Sequence, residues 1–202
     1  MRIFLAGASG VLGSRLVPLL IAAGHDVAGM TRSPEKARRL AAAGAEPVVC
    51  DVFDAAALTT AVTEYGPELV MHQLTDLPDD PARLAEGRAA NARIRREGTA
   101  NLLAAAEAAG VSRIIAQSVA WEMTGEGQVS KEFLEKSVRE AGGVVLRYGQ
   151  FYGPGTYYPD APPEPPRIHL DEAAARTARA LDLAPGLYEL TDAEGPEFLP
   201  IV

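Results

Sequence analysis

The sequence predicts an α/β fold, a doubly wound parallel sheet of about seven strands with helices on both faces, in a single domain over residues 1–202. Short apolar runs alternate with longer segments of helical period, which is the pattern of repeated β-α-β units. Most of these runs are apolar throughout, as expected for strands that are covered on both faces. A length of 202 residues suffices for one substantial core and is short for two domains.

The elements follow one another in a regular order. The predicted strands are residues 2–6, 26–31, 46–51, 68–74, 112–118, 143–148 and 187–191. The predicted helices are residues 11–23, 34–43, 54–65, 86–109, 130–141 and 171–182. Glycine follows four of these helices, where a left-handed C-cap favours it: Gly24, Gly44, Gly110 and Gly142.

Two stretches interrupt this order. Residues 119–130 contain glycines and polar side chains and are predicted to form a loop. Residues 153–166 carry six prolines without helical period, so they are predicted to form a second, Pro-rich loop. Residues 167–202 then form an abbreviated C-terminal part.

Composition and charge exclude several classes of function. Apolar residues make up 48% of the chain, and the net charge of −8 argues against a nucleic-acid partner, because phosphate binding favours a basic face. No apolar run approaches the roughly 18 residues of a membrane span. The single cysteine, Cys50, fits a reducing cytoplasm. We therefore expect a cytoplasmic protein that binds a small molecule, without a membrane partner and without a metal site.

A glycine-rich turn follows the first predicted strand and opens the first helix. The first glycine permits a sharp turn, the second lets the backbone approach a pyrophosphate, and the third permits close packing of helix on strand. The helix N-terminus offers free N–H groups to phosphates. The pattern predicts a Rossmann-type dinucleotide site formed by Gly7, Ser9, Gly10, Val11, Leu12 and Gly13.

The end of the second strand predicts which dinucleotide binds. A carboxylate there accepts hydrogen bonds from a ribose 2′-hydroxyl, whereas an arginine accommodates a 2′-phosphate. This chain has Thr31 and Arg32 at that point and no carboxylate before Glu35. NADP is therefore the predicted cofactor, with NAD as the alternative and a solvated surface arginine as the other interpretation of Arg32.

Several further motifs resemble those of the extended and atypical short-chain dehydrogenase/reductases, which include the NAD-dependent epimerase/dehydratase group. The glycine turn is similar to the family's GxxGxxG, residues 97–103 to its GTxNLL helix, and residues 146–155 to its LR…YGPG segment. The resemblance implies that Asp51 and Val52 lie at the adenine and that Leu74 and Thr75 pass beside the cofactor. It also implies a homodimer through the helices at 86–109 and 130–141.

The family's chemistry uses a serine and a tyrosine–lysine pair spaced YxxxK. Ser118 matches the serine and Lys131 the lysine, but Gly127 stands where the tyrosine is expected. Ser118 could instead cap the strand end, and Lys131 could bind a ribose or be an exposed first-turn lysine. Tyr148 is the candidate replacement for the tyrosine, with cofactor contact predicted for Ser118, Lys131 and Tyr148 alike. Tyr152 and Tyr157 are further candidates.

The resemblance implies three functions. The first is an NADP(H)-dependent reductase or epimerase acting on a small hydroxyl- or carbonyl-bearing metabolite. The alternative is a catalytically silent NADP(H)-binding redox sensor or regulatory protein. Dehydration or cyclisation without net redox change is a third, since function depends on the site and not on the scaffold.

Overall fold

A computed structural model of the chain describes residues 1–192 and 196–201. Its strands are β1 (Arg2–Ala6), β2 (Asp26–Thr31), β3 (Glu46–Val49), β4 (Leu69–His72), β5 (Ile114–Val119), β6 (Val144–Tyr148), β7 (Gln150–Tyr152), β8 (Arg167–His169), β9 (Gly186–Leu190) and β10 (Leu199–Pro200). Its α-helices are α1 (Gly13–Ala22), α2 (Pro34–Ala42), α3 (Ala55–Tyr65), α4 (Arg88–Arg93), α5 (Thr99–Ala108), α6 (Gly125–Glu140) and α7 (Leu170–Arg179).

The main sheet is doubly wound, as predicted. Its strand order is β10-β9-β6-β5-β4-β1-β2-β3, and every neighbouring pair is parallel except the antiparallel pair of β9 and β10. The chain order reverses between β1 and β4, and Ala6 pairs with both Met30 and His72, so these strands end level with one another. A crevice therefore opens at their carboxyl ends, which is where ligands bind in this class of sheet.

Two apolar cores lie on the two faces of this sheet. One core packs Leu5, Leu16 and Tyr148 beneath α1 and α7. The other packs Phe4 and Leu102 beneath α3, α5 and α6. Because successive residues of a strand point to opposite faces, the strands contribute to both cores in alternation.

Helix α6 begins five residues earlier than predicted. The glycines of the stretch 119–130 predict a loop, but the helix starts at Gly125. The carboxylate of Glu126 lies in the first turn, where the helix dipole favours negative charge, and it pairs with Arg96 at 2.7 Å. The Gln128 side chain also accepts from the backbone N–H of Met123 at 3.0 Å, which fixes the entry to the helix.

The predicted helix 86–109 is continuous over residues 88–108 but contains a wider, π-helical turn at its centre. A π-helical turn over Ile94–Gly98 joins α4 to α5. Such turns insert one residue into a helix and frequently occur at functional sites.

The C-terminal half contains short strands that the sequence did not predict. β7 and β8 pair in parallel as a small second sheet, and β10 adds an eighth strand to the main one. These strands have two or three residues each, too few to show an alternating pattern. The Pro-rich residues 153–166 between β7 and β8 form neither helix nor strand, as predicted. No helix among the described residues is long and apolar enough to cross a membrane.

Candidate functional site

The glycine turn forms a tight cradle between β1 and α1. Gly7 has φ +92°, and a Cβ at this position would collide with the carbonyl of Gln73, next to the end of β4. A Cβ on Gly13 would collide with the carbonyl of Gly7, so helix and strand pack closely here. At Gly10, by contrast, a Cβ would meet only the Gly7 carbonyl, at 3.2 Å. Leu12 is the N-cap of α1 and makes no side-chain cap bond, which leaves the first-turn N–H groups uncapped by any side chain.

A cleft of about 350 Å³ opens beside this cradle. It is lined by Gly7, Ser9, Gly10, Met30, Thr31, Arg32, Ser33, Lys36, Val52, Gln73, Leu74, Thr75 and Ile94. Eight predicted cofactor residues therefore meet in one cleft, and five further residues line it, of which Lys36 and Gln73 were not predicted to bind the cofactor. A more open cavity of about 450 Å³ lies between the end of α6 and the start of β9, lined by Lys136, Arg139, Glu140, Pro185 and Gly186. No predicted site residue lines that second cavity.

The β2 end of the cleft carries two cationic side chains. Arg32 and Lys36 line it, with Ser33 between them as the N-cap of α2, accepting from the Lys36 backbone N–H at 3.2 Å. No carboxylate is among the described residues that line the cleft. Asp76, on the loop after β4, pairs with Arg32 at 3.0 Å, and the side chains of both are partly exposed. The Thr31 hydroxyl is held internally, by Ser9 at 2.9 Å and by the Ser33 N–H at 3.2 Å.

The remaining cofactor residues predicted from the glycine turn and from β3 lie around the cleft rather than along it. Val11 is exposed, whereas Leu12 is buried in the core, so its side chain does not face the cleft. Asp51 is also exposed, and its carboxylate accepts from the Phe53 N–H at 2.9 Å in the turn after β3. Val52, by contrast, does line the cleft; it is buried, and its carbonyl accepts from Asn101 at 2.9 Å, which ties this turn to α5.

Two polar side chains at the end of β4 differ in whether they have hydrogen-bonding partners. His72 is buried, with Nε2 at 3.0 Å from the Thr99 hydroxyl and Nδ1 accepting from the Leu74 N–H at 3.3 Å. Burial, together with the charge of Arg95, lowers the pKa of His72 to about 4. The ring is thus neutral at physiological pH and holds the strand end. The neighbouring Gln73 is also buried, but its amide has no hydrogen-bonding partner among the described residues.

Ser118 points toward α6 and belongs to a buried polar network. Its hydroxyl donates to Glu135 at 2.6 Å, and the same carboxylate accepts two bonds from Arg147, at 2.8 and 2.5 Å. The bidentate pairing raises the pKa of Arg147. Sequence reasoning missed Glu135, although it lies four residues after Lys131 and therefore on the same helical face.

Lys131 is buried near the same strand end. Its side chain is 1% exposed, and Nζ donates to the Trp121 carbonyl at 2.9 Å with Glu122 at 3.8 Å. Burial lowers the pKa of Lys131, and the nearby charge of Arg147 adds to this effect. The interpretation of Lys131 as an exposed first-turn lysine is therefore wrong.

Tyr148 does not lie with Ser118 and Lys131, which corrects the prediction that it replaces the tyrosine. It points to the opposite face of the sheet, where it is 2% exposed in the core beneath α7. Its hydroxyl bonds to Thr177 at 2.7 Å, and burial raises the pKa of Tyr148 well above its usual value. The alternation of strand residues explains the error, since Arg147 takes the face that carries Ser118.

The other two tyrosine candidates are also engaged elsewhere. Tyr152 donates to Asp192 at 2.7 Å, and Tyr157 donates to the Pro78 carbonyl at 2.5 Å. The second bond joins the Pro-rich loop to the loop after β4.

Comparison with known proteins identifies the domain. A family model described as NAD(P)H-binding matches residues 7–141. The chain belongs to this NAD(P)H-binding family. The predicted fold is confirmed by solved structures of epimerases, which have the same architecture. The UDP-glucose 4-epimerase of Thermus thermophilus, in complex with NAD, has a TM-score of 0.79 at 20% identity, over 97% of this chain and 79% of that one. A UDP-Glc/GlcNAc 4-epimerase from Campylobacter jejuni has a TM-score of 0.77 at 13% identity, over 98% and 80%.

A reductase is among the sequence relatives of the chain. The 3-diazoavenalumate denitrifying reductase of a Streptomyces species is 39% identical over 186 residues, which cover 78% of this chain and 59% of that protein. The UDP-glucose 4-epimerase of Mycolicibacterium smegmatis is 33% identical over 120 residues, covering 57% of this chain and 37% of that protein. The chain thus matches little more than half the length of the reductase.

Proposed function

We propose that this protein is an NADP(H)-dependent reductase whose hydride transfer does not use a tyrosine as proton donor. The observation that carries the proposal is the cleft beside the glycine cradle, with Arg32 and Lys36 at its β2 end and Gly127 in place of the tyrosine. The residues present fit a dinucleotide, because Gly7 and Gly10 line the cleft beside a helix N-terminus that no side chain caps.

The β2 end supports NADP over NAD. A 2′-phosphate carries close to two negative charges, which Arg32 and Lys36 can balance together, while Ser33 supplies a hydroxyl. Asp76 does not prevent this, because a guanidinium has five N–H donors and one carboxylate oxygen occupies a single one at 3.0 Å. A free 2′-hydroxyl would find no carboxylate among the described residues of the cleft.

The missing tyrosine restricts the chemistry. A carbonyl reductase or epimerase must move a proton at the substrate oxygen, and Gly127 offers no group to do so. When bound, NADPH supplies a hydride, and hydride addition to a diazonium carbon with loss of N₂ needs no proton donor. Since the diazoavenalumate reductase is a 39% identical relative, we propose a diazo-bearing aromatic compound as the substrate class.

Two further residues complete the proposed site. Lys131, buried at the end of β5, is proposed to hold the ribose next to the reacting ring, as the family resemblance implies. Ser118 remains a candidate for substrate contact, although its hydroxyl already donates to Glu135. A substrate would therefore have to compete with that carboxylate.

The assembly and location of the protein are also proposals. Val129 and Phe133 lie four residues apart on α6 and are 54% and 40% exposed, which supports a homodimer through α5 and α6. The free, buried thiol of Cys50 supports a cytoplasmic location. Residues 1–202 are proposed to act as a single NADP(H)-binding domain.

The test is turnover with a diazonium-bearing aromatic acid, followed by NADPH absorbance and by product analysis. We expect NADPH consumption that matches formation of the denitrified arene, with NADH much slower. Because diazonium salts can oxidise NADPH in solution, the Gly10→Val protein serves as the matched control. Equal rates with wild type, with Gly10→Val and without protein would overturn the proposal.

A further inference from the structure

The π-turn of the helix 88–108 places Arg95 close to the end of β4, where its charge acts on His72. Thr99, one turn further along, bonds to His72 at the last residue of β4. Arg95 therefore lies beyond the end of that strand, and its neighbour Ile94 lines the cleft. The inserted residue of a π-turn changes which side chains face a given neighbour, and here it turns Arg95 toward the start of α6.

Arg95 lacks the partner that comparable arginines have. Arg147 and Arg176, which are also partly buried, pair with glutamates at 2.5 and 2.7 Å. Among the described residues, none places a carboxylate within 4.0 Å of the Arg95 guanidinium. Its Nη1 contacts the Met123 sulfur at 2.8 Å and the Gly127 carbonyl at 3.4 Å. A thioether sulfur is a weak acceptor, and 3.4 Å is long for a hydrogen bond to a carbonyl.

This guanidinium lies next to Gly127, the residue that stands where the family's tyrosine is expected. Gly127 occupies that position in the sequence, and a Cβ there would approach the Met123 methyl group to 3.1 Å. Met123, which Arg95 contacts, thus takes up space that a side chain at 127 would need. Arg95 is in direct contact with Gly127, the residue that departs from the family's YxxxK pattern.

The charges around Arg95 favour an anionic ligand. Lys131 is a second buried cation at the same strand ends. The nearest buried carboxylate, Glu135, is already shared by Arg147 and Ser118. Burial lowers the pKa of Arg95 and Glu135 opposes the shift, yet an arginine stays charged at any physiological pH. This positive region contrasts with the net charge of −8 of the whole chain.

We propose that Arg95 binds the carboxylate of an aromatic acid substrate, in the place that the tyrosine leaves. The planar fork of a guanidinium matches the two oxygens of a carboxylate, and the adjacent Met123 thioether suits an aromatic ring. This inference rests on the proposed reductase function and assigns the substrate group that fixes specificity.

The test is calorimetric titration of the NADP⁺-loaded protein with cinnamate, with neutral cinnamamide as the matched probe. We expect cinnamate to bind at least about tenfold more tightly than cinnamamide, because the amide lacks the charge-assisted bonds. Arg95→Met should remove that difference and leave NADP⁺ affinity unchanged. Arg95→Lys should keep part of the difference between cinnamate and cinnamamide affinity. This variant also provides the test if Arg95→Met fails to fold. Arg88→Met, an exposed arginine at the start of the same helix, should behave as wild type.

The outcomes separate the two proposals. Equal affinity for cinnamate and cinnamamide, no cinnamate binding by an NADP⁺-loaded protein, or full cinnamate affinity in Arg95→Met would each overturn the role of Arg95. Failure of the wild-type protein to bind NADP⁺ would instead overturn the proposed reductase.

Discussion

The two halves of the crevice treat their polar groups in opposite ways. At the ends of β1 and β2, the glycine cradle leaves helix N–H groups uncapped by side chains, and Arg32 and Lys36 face a cleft. At the ends of β5 and β6, the polar groups satisfy one another, as in the network of Ser118, Glu135 and Arg147.

This difference indicates that the half of the crevice at β1 and β2, the cofactor half, and the half at β5 and β6, the chemistry half, have different roles. The cofactor half has polar groups available for phosphates. In the chemistry half, which performs the acid–base step in the family, the hydroxyl and carboxylate groups bond to neighbouring side chains instead. A reaction that needs hydride but no proton donor is compatible with such a site. Arg95 is the exception in the second half, since its guanidinium has no carboxylate partner among the described residues.

The largest expected effect is in the cradle. Gly10→Val should lower NADP⁺ affinity at least about 100-fold, comparable to losing two charge-assisted hydrogen bonds to the pyrophosphate. The protein should stay folded, because a Cβ at position 10 meets only one carbonyl, at 3.2 Å. Calorimetry and a thermal melt measure the two quantities. Ala22→Val, at the exposed far end of α1, is the control, and retained binding in Gly10→Val would mean that the phosphates bind elsewhere.

The next effect concerns the buried network of Ser118, Glu135 and Arg147. Glu135→Ala should lower the free energy of unfolding by about 3 kcal/mol, because it leaves the half-buried Arg147 without its partner. Glu132→Ala, exposed one turn earlier, should change it by less than about 0.5 kcal/mol. Urea titration of both variants measures the difference. A Glu135→Ala protein as stable as wild type would show that the network does not hold the strand end.

His72 predicts a pH dependence in the cofactor half. Its folded pKa is about 4, below the usual 6.5, so folding favours the neutral ring. Its full contribution to stability is therefore present above about pH 6.5 and is lost as the pH falls toward 4, by roughly 3 kcal/mol in total. His72→Gln should flatten this part of the curve of unfolding free energy against pH. Parallel curves for wild type and His72→Gln would contradict the assignment.

The smallest effects are expected for the hydroxyl groups. Tyr148→Phe and Ser118→Ala should each cost about 1 kcal/mol of stability, since each removes one buried hydrogen bond. Turnover of Tyr148→Phe should stay close to wild type because this hydroxyl lies on the opposite face. A large loss of turnover in Ser118→Ala, with stability little changed, would instead establish Ser118 as a residue that contacts the substrate.

Much of the cofactor half could be predicted from the sequence. The glycines have fixed spacing and each has a steric reason, so Gly7, Gly10 and Gly13 indicate both the turn and the ligand. The absence of a carboxylate after β2 is visible in the same way. Lys36 was missed although the helix that carries it was predicted from residue 34, because no sequence motif assigns this first-turn position to the cofactor.

The chemistry half could not be predicted to the same extent. Which face Tyr148 takes depends on strand register, which a run of apolar residues does not specify. The π-turn at 94–98 leaves no periodic signal, so the direction of Arg95 was not visible. Glycines at 125 and 127 predict a loop, but the ion pair of Glu126 with Arg96 extends α6 through them. In each case a tertiary contact decides the local structure.

The central claim is that the cofactor half binds a 2′-phosphate, and one calorimetric experiment tests it most directly. Wild type and the Arg32→Ala/Lys36→Ala double variant are titrated with NADP⁺ and with NAD⁺, and Arg39→Ala on the exposed side of α2 is the control. We predict that wild type prefers NADP⁺ and that the double variant loses about 10- to 100-fold in NADP⁺ affinity with NAD⁺ affinity unchanged. Equal binding of NADP⁺ and NAD⁺ by wild type, or equal weakening of both in the double variant, would contradict it.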